Sequence, residues 1–100
     1  MKSVVLLVTY TAKPGMRETF LREALASGIP AKIRTEEGCL RYDYYKSEEK
    51  PDEILLVEQW ATPEAQELHM QQPHMKRLLE LKNRLVAATG LMQMMTEGEI

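Results

Sequence analysis

The sequence of 100 residues holds material for one domain of ordinary size and leaves nothing for a second core. Its 13 Lys+Arg against 15 Asp+Glu give a formal net charge of -2, so the basic footprint that a phosphate backbone requires is missing and no nucleic-acid partner is expected. The one cysteine, Cys39, cannot form an internal disulfide, which fits a reducing, cytoplasmic setting, and no stretch approaches the roughly 20 apolar residues of a membrane helix, so no membrane partner is expected either.

Residues 3 to 11 are dense in Val, Leu, Thr and Tyr and predict a strand. The run Val4 to Val8 imitates the core of a signal peptide but is short for one and meets Thr9, Tyr10 and Thr11 before any small-x-small site. Lys13-Pro14-Gly15 ends the strand. From Arg17 the period changes, with Phe20, Leu21, Ala24, Leu25 and Gly28 at helical spacing, and this helix ends near Gly28 to Pro30. Residues 31 to 37 read as an irregular turn carrying Ile33, closed by Glu36-Glu37-Gly38.

Cys39 to Lys46 alternates Leu40, Tyr42 and Tyr44 with Arg41, Asp43 and Tyr45, and Ile54 to Trp60 is a second apolar run, so both predict strands around a polar hairpin loop at Ser47 to Asp52. Thr62-Pro63-Glu64 is a helix start: an N-cap, a proline at the first helical position and an acid in the first turn. A short helix to about Gln71 follows, Pro73 restarts it, and the periodic stretch to Ala88 meets Gly90 as its expected cap. Leu91 to Thr96 predicts the last strand. The order is β-α-β-β-α-β, an α+β domain of ferredoxin-like topology over residues 1–96 with a tail at 97–100.

Strand side chains alternate faces, and here both faces are apolar: Val4, Leu6 and Val8 oppose Val5 and Leu7, and Ile54 and Leu56 oppose Leu55 and Val57. Two helices cover only one face of a four-stranded sheet, and each exposed square ångström of the other forgoes about 25 cal/mol. A homodimer related by a two-fold axis is the expected cover.

His69 and His74 are the two histidines. Both fall on apolar helical stripes, His69 one turn after Ala65 and His74 at the head of Leu78, Leu81, Leu85 and Ala88, so both imidazoles are expected to point inward. Two roles suit each: a hydrogen-bonded core histidine, or a general base, for which an ordinary pKa near 6.5 is apt. Glu58 and Trp60 share one face of their strand, and Tyr42 and Tyr44 share one face of the hairpin partner. If those faces coincide they make an aromatic wall with a carboxylate, suited to a small apolar or aromatic molecule. The plainer alternative makes Trp60 a core residue and pairs Glu58 with Arg41 or Arg34. The charged run Lys76, Arg77, Glu80, Lys82 reads as a solvated helix face. Phosphate-loop, CxxC, HExxH and serine-nucleophile spacings are absent.

The segments Glu36-Glu37-Gly38-Cys39-Leu40-Arg41-Tyr42, Glu58-Gln59-Trp60 and Leu68-His69-Met70-Gln71-Gln72-Pro73-His74-Met75-Lys76 resemble, in order and separation, the signatures of the antibiotic biosynthesis monooxygenase (ABM) family. The resemblance implies a dimeric α+β barrel with one pocket per subunit. It also implies a monooxygenase of hydroquinones or related phenols that uses no metal or flavin cofactor, because the substrate anion itself passes an electron to dioxygen. On that likeness Tyr42 and Trp60 would line the pocket with Glu58, and His69 or His74 would take the phenolic proton, with His69 favoured because it sits in the short helix directly after Trp60 and the strand end, whereas His74 begins a stripe that already has a packing role. Other members degrade heme or isomerise a phosphorylated signalling molecule. The heme branch fits poorly, since Val8 and Thr9 stand where it has asparagine and Leu79 where it has histidine. The isomerase branch, and a dimer that only binds a small molecule, remain as alternatives; a phosphate would want Lys or Arg in the pocket.

Overall fold

The β-branched run at the start of the chain forms β1, Lys2–Ala12, in the computed structural model, whose described residues are 2–97. The helix after it is α1, Arg17–Ser27, which buries Phe20 and Ala24 and ends on Gly28 at φ 74°, the left-handed conformation that glycine adopts at no steric cost. The expected irregular turn is instead a second helix, α2, Ile29–Arg34. Pro30 sits in its first turn, where no N–H is needed, and burial of Ile29, Pro30 and Ile33 fixes it against the core. The hairpin follows as β2, Cys39–Lys46, and β3, Glu53–Trp60.

Thr62 caps α3, Pro63–Met70, by accepting a hydrogen bond from the Ala65 N–H, as its sequence predicts. α4, His74–Leu85, buries Leu78, Leu81 and Leu85. It does not reach Ala88, and Gly90 is not its cap: β4 begins at Val86 and runs to Glu97. The Leu85 carbonyl, which a longer helix would need, accepts the Lys13 N–H at 2.8 Å, and Val86, Ala88, Thr89 and Gly90 pair with Ala12, Thr11, Tyr10 and Thr9 of β1, the register shifting at Ala87. The ladder overrides the helix-favouring Ala87-Ala88. Glu97, placed in the tail by its sequence, still pairs with Lys2, and residues 98–100 lie outside the described residues.

The element order is β-α-α-β-β-α-α-β, and the antiparallel sheet runs β2-β3-β1-β4. This is the ferredoxin-like α+β arrangement, with each connecting helix divided in two. Val4, Leu6, Val8, Tyr10, Ile54, Leu56, Trp60 and Tyr42 face the helices and form one core with Phe20, Ile33 and Leu78. The opposite face carries half-buried Leu7 and Leu55 and exposed Met92 and Met94. No helix of the described residues is long and apolar enough to cross a membrane.

Candidate active site

Strand register decides whether the two predicted faces meet. Glu58 lies opposite Tyr42 on one side and Leu6 on the other, and Trp60 lies opposite Cys39 and Val4. The faces therefore coincide, and they are the helix-covered face of the sheet.

α3 delivers His69 onto this wall. Gly38, at φ 83°, lies where an added Cβ would come within 2.6 Å of the Ala65 Cβ, so the start of β2 and α3 approach more closely than a side chain would allow. His69 is 1% exposed. Its ring lies 4.5 Å from the Trp60 ring at 31° and 5.9 Å from the Tyr42 ring.

Glu36, in the turn between α2 and β2, holds both histidines. Its carboxylate lies 3.0 and 3.2 Å from His69 Nδ1 and 2.7 Å from His74 Nε2. A carboxylate only accepts, so Nδ1 of His69 carries the proton it donates and Nε2 is left with a free lone pair. That Nε2 is 3.8 Å from Glu58 Oε1, too long for a direct hydrogen bond. Glu58 in turn accepts the Trp60 Nε1–H at 3.1 Å.

Burial lowers the His69 pKa from its ordinary value, with Glu36 opposing. Burial raises that of Glu58, with the Trp60 hydrogen bond opposing. The two facing groups are thus pushed toward each other, a base easily kept neutral beside an acid reluctant to ionise, which is the environment of proton-transfer sites.

His69 and Glu58 border a cavity of about 670 Å³, within the size range of small-molecule sites. Its floor is Leu6, Val8, Tyr10 and Tyr42 from the sheet, and its wall includes Met75, Leu78 and Leu79 from α4. Of the residues singled out by the sequence, Tyr42, Glu58 and His69 line the cavity. Trp60, fully buried, lies behind His69 and buttresses it, and His74 meets the site through Glu36. The expected pairing of Glu58 with an arginine is not formed: Arg34 and Arg41 both bind Asp43, at 3.7 and 3.1 Å. Among the described residues no group of three or more His, Cys, Asp or Glu is placed to hold a metal ion.

Two participants were missed. Glu36 was legible as part of a turn and of an ABM-like segment but not as a partner of the histidines, since nothing in the spacing separates it from Glu37 or ties it to histidines 33 and 38 residues away. Lys82, read as solvated, is half-buried in the cavity wall. The signal for it was present: Met75, Leu78, Leu79 and Lys82 share the i, i+3, i+4, i+7 stripe of one helix face.

The family model described as antibiotic biosynthesis monooxygenase matches residues 3–81. The chain belongs to the ABM family. No curated protein matches it. Among solved structures it is similar to PA3566 of Pseudomonas aeruginosa, at 28% identity over 98% of this chain and 97% of that one with a TM-score of 0.85. It is also similar to SO0527 of Shewanella oneidensis, at 26% identity over 95% and 91% with a TM-score of 0.81. A Chloroflexus aurantiacus protein described under the ABM name shares the fold at 23% identity over 98% and 96%, with a TM-score of 0.82.

Proposed function

We propose that this ABM protein is a cofactor-independent monooxygenase of a hydroquinone or related small phenol. The observation that carries the proposal is the ordered set Glu36, His69, Glu58 at the border of a largely apolar cavity. A phenol hydroxyl entering beside Glu58 meets His69 Nε2, which takes the proton, while Glu36 stabilises the imidazolium so formed. The phenolate gives an electron to dioxygen, and the ring radical and superoxide join at a ring carbon. The peroxide takes up the imidazolium proton and then loses water across the C–H and O–O bonds. Hydroquinone and dioxygen become hydroxyquinone and water. The chain contributes the base, its orientation and a largely apolar cavity.

Oxygen uptake by EDTA-treated protein with a panel of hydroquinones tests this. Uptake above the autoxidation blank with one-to-one formation of hydroxyquinone is expected. A panel that gives none removes the support, and ligand retained without turnover points to a binding protein. Isomerisation of a small phosphorylated molecule is a second reading, favoured by Lys76 and Lys82 in the cavity lining. Leu7, Leu55, Met92 and Met94 on the helix-free face support a homodimer, which sedimentation at micromolar concentration tests: a monomer there refutes it.

A further inference from the structure

The apolar stripe of α4 is broken once, at Lys82. Met75, Leu78 and Leu79 face the cavity as periodicity dictates, and the position that completes the stripe carries an ammonium. Its Nζ lies 4.7 Å from the centroid of the Tyr10 ring, which closes the same cavity. Among the described residues no carboxylate stands within ion-pair distance of it. Glu58, whose charge favours the ammonium across the cavity, is already engaged by the Trp60 N–H. The π face offsets only part of the hydration that a half-buried cation loses. Leu6, opposite Glu58, and Tyr10, beneath Lys82, are four residues apart on β1, a separation of about 13 Å along the strand. The cavity therefore presents His69 and Glu58 on one side and two cations of α4 on another, Lys76 at the exposed rim and Lys82 half-buried, with apolar floor between.

We infer that the cavity selects aromatic ligands carrying an anionic group, which Lys82 binds while the phenolic hydroxyl sits beside His69 and Glu58. The anionic group is a carboxylate or a phosphate monoester, both of which an ammonium over an apolar floor recognises. The inference rests on the proposed phenol-binding role of the His69 end and names the substrate class for it. Neutral hydroquinones then become the poorer substrates, because they leave the cation uncompensated.

The test is anaerobic calorimetric titration at pH 7 with 6-hydroxy-2-naphthoate, its methyl ester and 6-hydroxy-2-naphthyl phosphate, each of which carries the phenolic hydroxyl. The wild-type protein is compared with Lys82→Met, which keeps the apolar stem, and Lys82→Arg, which keeps the charge. At least one anion should bind the wild-type protein about tenfold or more tightly than the ester, the margin expected of a hydrogen bond to a charged group. Lys82→Met should abolish that margin while holding the ester as well as before, and Lys82→Arg should retain it. Which anion wins separates the carboxylate from the phosphate. Equal binding of anions and ester, no binding of any probe, or an unchanged margin in Lys82→Met overturns the inference. Because oxygen is excluded, the outcome is independent of turnover: anion-selective binding by a protein that consumes no oxygen sinks the oxygenase reading alone, and oxygen uptake with neutral quinols but no anion preference sinks this one alone.

Discussion

Replacing Glu36 by glutamine tests the mechanism where it is most specific. The amide oxygen can still accept from His69 Nδ1, so the tautomer and the ring position survive while the negative charge is lost. An opposite charge within about 4 to 6 Å favours the ionised form by about 1 to 3 pKa units, and the Glu36 oxygens lie 3.0 and 3.2 Å from Nδ1. His69 is already lowered by burial against the opposition of Glu36, so Glu36→Gln should lower it further. The neutral base is the active form, present above its pKa. The acid limb of kcat/KM should therefore lie below pH 6.5 in the wild-type protein and move to lower pH by about one unit or more in the variant. The plateau should fall about tenfold, the difference between a charge-assisted and a neutral hydrogen bond to the imidazolium. The assay is oxygen uptake against pH, with His69 titrated in parallel by imidazole NMR, which needs no substrate. An acid limb and an NMR titration that both stay in place, or move to higher pH, refute the assignment of Glu36 as the group that sets this base.

His69→Ala should reduce turnover by about a hundredfold to ten-thousandfold, the usual cost of losing a positioned general base, while His74→Ala should stay within about tenfold and act on the urea midpoint by about 1 to 3 kcal/mol for the partner left unpaired. Comparable losses of turnover in both would show that His74 is more than a second anchor for Glu36. Gly38→Ala should destabilise by about 1 to 3 kcal/mol and lower turnover by displacing α3, since its Cβ would stand 2.6 Å from that of Ala65 at a positive φ. Adding Ala65→Gly should recover part of both losses, and chemical denaturation that finds Gly38→Ala within about 0.5 kcal/mol of wild type refutes the close approach.

The strands, the Thr62 cap and the inward histidines were legible because each is written in a local period. β1, β2 and β3 alternate or run apolar over lengths no helix stripe imitates, and Thr-Pro-Glu has one reading. The helix α2 was not legible: six residues are too few for a period, and its stability comes from Ile33 meeting the sheet. The end of α4 failed for the same physical reason, since Ala87 and Ala88 favour helix locally and only the β1 ladder shows that the chain is extended there. At the site, alternation placed Glu58 with Trp60 and Tyr42 with Tyr44 on one face of each strand, and the observed register brings the two faces together. The role of Glu36 was not legible, because it arises from a turn meeting two helices in three dimensions, whereas the stripe Met75, Leu78, Leu79, Lys82 carried a signal for Lys82 that its charged neighbours masked.

The facing pair His69 and Glu58 gives a further, sharper expectation, because their shifts act on stability with opposite signs. The folded pKa of His69 lies below its ordinary value, so as pH falls through about 6.5 the unfolded chain takes up that proton first and the fold is destabilised. The folded pKa of Glu58 lies above its ordinary value, so over its own window the folded chain takes up the proton first and acidification stabilises it. In the wild-type protein the two slopes have opposite signs, that of His69 acting from about pH 6.5 downward and that of Glu58 acting down to about pH 4.5. Glu58→Gln removes the stabilising slope and leaves that of His69 uncovered, so the urea midpoint of the variant should drop more steeply from pH 7 to about pH 4.5 than that of wild type. His69→Gln removes the other slope and should drop less steeply than wild type. Parallel curves for all three proteins would mean that neither group is shifted on folding, and that the juxtaposition at 3.8 Å does not set the proton inventory of this cavity.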